Sequence, residues 1–312
     1  MKFALVFPGQ GSQSVGMMSA YGDSAVIRQT FEEASDALGD DLWAMVSDGP
    51  AERLAQTVNT QPLMLTAGVA VYRAWRAAGG PAPDFVAGHS LGEYAALVAA
   101  DALAFADAVP LVRLRAAAMQ EAVPQGEGAM AALLGLDADA VSQVCAEVAQ
   151  GEVVSAANLN APGQIVIAGS AAAVDRAMAK AKSRGAKRAV LLPVSAPFHC
   201  DLMKPAAEKL AARLADISFS VPALPVINNV DVAVCDAPEL IRDALVRQAY
   251  SPVRWIETVA AMASNGVGAV IECGPGKVLA GLTKRIARDV QGAAVVDAAS
   301  LADAIALAGG EA

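Results

Sequence analysis

Twice in this chain a short apolar run breaks into a glycine turn and then into a helical pattern, and that succession restricts the fold more than any other feature. Residues 3–7, FALVF, run into PGQGSQ; residues 85–87, FVA, run into GHSLG and on into EYAALVAADALAF. Each reads as a buried strand ended by a tight turn. Helical patterns at about 24–38, 61–78 and 107–122 alternate with these runs, and strands alternating with helices build parallel sheets covered on both faces. At 312 residues the chain exceeds one average domain and falls short of two, so one large domain with an inserted lobe is expected.

The lobe lies between two proline-bearing joints, PQGEG at 124–128 and PVSAP at 193–197. Its pattern is an apolar run at 129–135, a helix from Asp137 to Gln150, runs at 153–159 and 164–169, a helix from Ala171 to Arg184, and a run at 188–194. That order, β-α-β-β-α-β, is the ferredoxin-like arrangement. Beyond it, VGAVIECG (267–274) reads as strand and turn, Lys277 to Val290 as helix and AAVVDA (293–298) as a last strand.

Several function classes are excluded at this level. Apolar residues at 55% against 18% charged rule out a disordered chain. Mean hydropathy is +0.42, yet charges such as Glu93, Asp101 and Asp107 interrupt the apolar stretches before the roughly 18 residues that a membrane span needs, so a soluble protein with no membrane partner is expected. A net charge of −9 argues against binding nucleic acid through its phosphates. Cys145, Cys200, Cys235 and Cys273 show no CxxC spacing, which points to reduced thiols rather than bridges or metal ligands. The five apolar residues between Lys2 and Pro8 are too few for a signal peptide, so the cytoplasm is the expected location.

Gly88-His89-Ser90-Leu91-Gly92 is a G-x-S-x-G pentapeptide in the strand-to-helix context of a nucleophile elbow. Taken alone it is equally compatible with an ordinary turn in a Gly- and Ala-rich chain. A serine hydroxyl needs a base near neutral pH, and histidine is that side chain. Only two exist, His89 and His199. His89 projects from the same turn and is poorly placed to take the Ser90 proton, which leaves His199. No acidic third member announces itself, because Asp137, Asp139 and Asp175 fall on surface-like helices of the lobe; a backbone carbonyl is an alternative orienting group.

With these residues in view, the chain resembles the malonyl-CoA:acyl carrier protein transacylases. The likeness rests on FPGQGSQ at 7–13, GHSLGEY at 88–94, Arg115 within LRAAAMQEAVPQGEGAM, NAPGQ at 160–164, SAPFH at 195–199, Gln248 in RQAYSPVRW and ECGPGK at 272–277. The resemblance implies a two-lobed α/β enzyme: a hydrolase-like parallel-sheet large subdomain of residues 1–126 and 196–312, and an inserted ferredoxin-like small subdomain of residues 127–195. It implies ping-pong transfer of a malonyl group from malonyl-CoA to the phosphopantetheine thiol of acyl carrier protein, in fatty acid biosynthesis, through a malonyl ester on Ser90, with His199 as base. The backbone N–H groups of Gln10 and Leu91 would form the oxyanion hole, the main-chain carbonyl of Gln248 would stand behind His199, and Arg115 would hold the malonyl carboxylate. Phe198, Asn160 and His89 would shape the substrate site. No metal and no resident cofactor are expected, coenzyme A being part of the substrate, and the protein is expected to be a monomer.

Two other readings use the same residues: a thioesterase or esterase, and a catalytically silent carrier-protein binding module. Relatives serving malonate decarboxylation or polyketide assembly are a third possibility. Lys180, Lys182, Arg184, Lys187 and Arg188 form a basic run that is ordinarily a solvated helix end, but Lys187 and Arg188 are also candidates for docking an acidic carrier protein. Lys284, Arg285 and Arg288 offer a second patch of the same sign.

Overall fold

The computed structural model describes residues 1–309. β1 (Lys2–Phe7) is the centre of the larger sheet, and its side chains alternate between two cores: Phe3, Leu5 and Phe7 face one, Ala4 and Val6 the other. Burial on both faces is why this strand reads as a continuous apolar run rather than an alternating one. β2 (Phe85–Gly88) and β8 (Val267–Cys273) flank it, β7 (Val226–Ile227) and β9 (Gln291–Val295) form the edges, and every pairing is parallel. On one face lies the helix Thr57–Ala77, buried along most of its length, beside the helix Phe105–Glu121. Trp255, Val259 and Met262 of the helix Trp255–Ser264, with Leu279 and Leu282 of the helix Val278–Ile286, cover the other.

The second sheet is antiparallel, in the order β4-β5-β3-β6, from β3 (Gly128–Leu134), β4 (Val154–Ala161), β5 (Gln164–Ser170) and β6 (Arg188–Leu191). The helices Ala138–Val148 and Ala171–Ser183 pack on it over an apolar core that includes Leu133, Val141, Ile165 and Ile167. All four strands lie between residues 127 and 195, and all five parallel strands lie outside that range. The fold is therefore mixed α/β, with a parallel and a separate antiparallel sheet.

Several boundaries differ from the sequence reading for local reasons. The helix expected at 61–78 starts at Thr57, because Asn59 and Thr60 are polar yet buried, tied to the carbonyls of Arg53 and Leu54. The helical spacing of 93–105 breaks into two helices at Asp101, which takes a left-handed φ of 56°. The last strand ends at Val295, before Asp297 caps the helix Ala298–Leu307 in a reciprocal pair with Ser300. β6 stops at Leu191; beyond it only the Leu192 N–H still reaches β3, at the Met130 carbonyl, 2.9 Å away. Between residues 200 and 264 the apolar pattern missed β7, which has only two residues, and the helices Lys204–Ala215, Pro238–Gln248 and Trp255–Ser264. The four cysteines are free and buried, and no helix among the described residues is long and apolar enough to cross a membrane.

Candidate active site

Ser90 sits at the end of β2 with φ 53°, a left-handed conformation that is strained for a serine. The flanking glycines make the turn possible. A Cβ on Gly88 would lie 1.8 Å from the carbonyl carbon of Gly92, and one on Gly92 would lie 2.1 Å from the carbonyl oxygen of Phe7. The turn thus presses against both its own helix and the neighbouring strand, and pushes the serine side chain out at the start of the helix Gly92–Ala99.

His199 arrives from a loop, also at a left-handed φ of 62°. Its Nδ1 is 2.9 Å from the main-chain carbonyl of Gln248 and its Nε2 is 2.7 Å from Ser90 Oγ. A carbonyl only accepts, so Nδ1 carries the proton and the lone pair of Nε2 faces the serine hydroxyl. Burial, and next the positive charge of Arg115, hold the imidazole well below its ordinary value, down to about 3. It is a neutral acceptor across the physiological range.

Arg115, on the helix Phe105–Glu121, is buried rather than a surface residue. Nη1 donates to Gln61 Oε1 at 2.7 Å, and Nη2 donates to Gln248 Oε1 at 3.0 Å and to Ser90 Oγ at 3.1 Å. No carboxylate pairs with it among the described residues, its Nε is buried without a partner, and its guanidinium lies over the Tyr94 ring at 5.4 Å. Burial lowers its pKa, yet a guanidinium keeps its proton in proteins. A buried charge held by neutral carboxamides is costly and stands ready to receive an anion.

The cleft holds a cavity of about 130 Å³. Gln10, Ser90, Leu91, Arg115, Phe198 and His199 line it from one lobe; Met130, Asn158, Leu192 and Val194 line it from the other. Neither the Gln10 N–H nor the Leu91 N–H meets an acceptor among the described residues. His89 turns away from the serine: its Nε2 is 2.8 Å from Asn160 Oδ1 and its ring packs on Trp255, and burial lowers its pKa against the opposing pull of that hydrogen bond. His89, Asn160 and Gln164 line a neighbouring arm of the cleft.

Of the sequence candidates, the structure brings Ser90, His199, Gln248, Arg115, Gln10, Leu91 and Phe198 together, with His89 and Asn160 beside them. Lys187 and Arg188 are exposed and are not part of the cleft wall. Lys180 and Arg184 are already paired with Glu147, and Arg285 bonds Gln164 and the Pro162 carbonyl. Sequence reasoning missed Gln61, Asn229 and Glu93. Asn229 accepts the Ser90 N–H at 2.7 Å and donates to the Gly88 carbonyl at 2.7 Å. The only signal for Gln61 was a carboxamide inside a largely buried helix, and Glu93 counted merely as a charge interrupting an apolar stretch. Among the described residues no cluster of three metal-ligating side chains occurs.

Comparisons with known proteins identify the family. Residues 4–302 match the family model described as acyl transferase domain. The chain is 56% identical over 307 residues to the malonyl CoA-acyl carrier protein transacylase of Escherichia coli strain K12, covering 98% of this chain and 99% of that protein. The crystal structure of the acyl-carrier-protein S-malonyltransferase of Burkholderia pseudomallei 1710b superposes with a TM-score of 0.97 at 61% identity, covering 98% of this chain and 100% of that one. A malonyl-transacylase solved in complex with its type II PKS acyl-carrier protein superposes with a TM-score of 0.97 at 55% identity and the same coverage. The chain therefore belongs to the acyl transferase family, among the malonyl-CoA:acyl carrier protein transacylases.

Proposed function

We propose that the enzyme moves a malonyl group from malonyl-CoA to the phosphopantetheine thiol of acyl carrier protein in two half-reactions through an ester on Ser90, in fatty acid biosynthesis. The observation that carries this reading is that one hydroxyl, Ser90 Oγ, touches both a neutral imidazole and a buried guanidinium that makes no salt bridge among the described residues. The first supplies a base and the second a seat for a carboxylate.

In the first half-reaction Ser90 Oγ attacks the thioester carbonyl carbon while its proton passes to His199 Nε2. The oxyanion takes the free N–H groups of Gln10 and Leu91, the second of which opens a helix where donors are unsatisfied. The C–S bond then breaks and His199 returns the proton to the departing coenzyme A thiolate. In the second, the pantetheine thiol gives its proton to His199 and attacks the ester, and Ser90 leaves and is reprotonated. The Gln248 carbonyl orients the ring and stabilises the imidazolium through Nδ1–H, in place of a triad carboxylate. An imidazolium beside Arg115 is unfavourable in the resting enzyme; a bound malonyl carboxylate offsets that repulsion and so couples substrate charge to proton transfer. Arg115 pairs with that carboxylate in a fork. Phe198, Asn160 and His89 shape the walls.

In this reading the large lobe is hydrolase-like, and the small lobe, whose strand order β4-β5-β3-β6 follows two β-α-β halves, is ferredoxin-like. Coenzyme A and phosphopantetheine arrive with the substrates, so no resident cofactor takes part. Intact mass after brief incubation with malonyl-CoA should rise by one malonyl group, located on the peptide carrying Ser90, and fall back on adding holo acyl carrier protein. Labelling that persists in Ser90→Ala, or release of free malonate outpacing transfer to the thiol, would remove the mechanism.

A further inference from the structure

A buried carboxyl group stands behind the cleft without touching any reacting atom. Glu93 lies on the helix just past Ser90 and is 2% exposed. Its Oε2 accepts two hydrogen bonds at 2.9 Å, one from Gln248 Nε2 and one from the main-chain N–H of Asn229. Each donor belongs to a residue that holds another part of the site. The Asn229 side chain spans the strained serine turn, from the Ser90 N–H to the Gly88 carbonyl. Gln248 offers its main-chain carbonyl to His199, its Oε1 to Arg115 and its Nε2 also to the Ser90 carbonyl at 3.0 Å.

The donors and acceptors allow one orientation only. A guanidinium donates and never accepts, so Gln248 Oε1 faces Arg115; the NH₂ end then points at the Ser90 carbonyl and at residue 93, which must accept. Reversing the carboxamide would set N–H against guanidinium and carbonyl against two other oxygens in a buried position, where such a mismatch is costly. Both forms of a carboxyl group can accept at Oε2. Burial pushes the Glu93 pKa up to about 7, against the hydrogen bonds from Gln248 and Asn229 and the charge of Arg115.

We propose that Glu93 is a positioning residue which, through Gln248 and Asn229, sets the direction in which Arg115 presents its guanidinium and steadies the turn that carries Ser90. It thereby governs both the rate of transfer and the preference for acyl groups bearing a carboxylate. The inference rests on the reading of Arg115 as the carboxylate seat, and it requires an acceptor at position 93 rather than a charge.

The test measures kcat/KM for malonyl-CoA and for acetyl-CoA in the full-length enzyme and its Glu93→Leu, Glu93→Asp, Glu93→Gln and Arg115→Ala variants, each normalised to folded protein by near-ultraviolet circular dichroism. Glu93→Leu should lose about 10-fold to 100-fold in malonyl transfer, the cost of leaving buried donors without an acceptor, and its malonyl-to-acetyl ratio should fall. Glu93→Asp, with a shorter reach, should move the ratio in the same direction and decides the matter if Glu93→Leu does not fold. Glu93→Gln should rescue, staying within about threefold of the native enzyme with the ratio retained. A Glu93→Gln variant as impaired as Glu93→Leu would show that charge is needed, and would overturn the proposal. A ratio that moves in Arg115→Ala but in neither Glu93→Leu nor Glu93→Asp removes the role of Glu93 and leaves the substrate reading standing. A ratio unmoved in Arg115→Ala removes both.

Discussion

The two lobes bury different kinds of side chain. Between residues 127 and 195 the core is entirely apolar, and every buried polar or charged residue among those described, Gln61, Glu93, Arg115, His199, Asn229, Gln248 and Glu272 among them, belongs to the other lobe. The small lobe keeps its charges outside, where Glu147 meets Lys180 and Arg184, and Glu152 meets Arg176. Such exposed pairs contribute little to stability, because water and ions screen them. Buried polar groups cost far more unless they are paired, so a lobe that accumulates them is trading stability for arranged chemistry. In the proposed mechanism the difference assigns the work: one lobe holds the reacting groups, and the other contributes an apolar wall to the cleft.

The sharpest way to break this division is at His199. His199→Ala should slow both half-reactions by roughly 100-fold to 10,000-fold, the usual contribution of a general base, measured by acylation in a stopped-flow apparatus and by transfer to the carrier protein. The same variant should be less acid-sensitive. His199 is held at about 3 in the fold against about 6.5 unfolded, so between those values the unfolded chain binds the extra proton and stability falls as pH falls. Tm recorded from pH 6.5 down to 3 should drop less in His199→Ala than in the native protein; parallel curves would contradict a neutral buried imidazole.

Arg115→Ala comes next, with malonyl transfer reduced by roughly 30-fold to several thousand-fold, the equivalent of removing one member of a buried charged pair. Acetyl transfer should survive or improve, since the uncharged acyl group no longer has to bury an unpaired guanidinium. Equal losses for both substrates would show that Arg115 supports the fold and does not read the carboxylate.

In the small lobe the expected currency is stability. Ile167, fully buried in the apolar core, should cost about 2–5 kcal/mol as Ile167→Ala, while the malonyl-to-acetyl ratio of the protein that remains folded stays at the native value. Denaturant titration beside that ratio checks both; a shifted ratio would mean that the wall takes part in selection.

The smallest effect is expected at the lobe's surface. Charge reversal at Lys187 and Arg188 should raise KM for acyl carrier protein about 2-fold to 10-fold at low salt, and leave acylation by malonyl-CoA alone, because steering acts on encounter and is screened by ions. Identical KM values at low and high salt would return both residues to a solvated surface.

Contiguous residues carry the local features of this protein. The strand, turn and helix around Ser90 are written in contiguous residues, because the two glycines answer steric contacts made within the turn and with the adjacent strand. The order of elements in the inserted lobe followed from apolar runs and turn residues, which depend on neighbours in the chain. The scarcity of histidine singled out His199 before any geometry was known. Tertiary structure alone decided which groups face one another: the carbonyl behind His199 comes from a residue 49 positions away, and the carboxamide that faces the Ser90 carbonyl from 158 positions away. Whether Arg115 is exposed or enclosed, and whether Glu93 is a surface charge or the acceptor that orients Gln248, depends on what packs opposite. A polar side chain carries no sign of its partner in its own sequence neighbourhood, because hydrogen bonds between distant segments exist only once packing has brought those segments together.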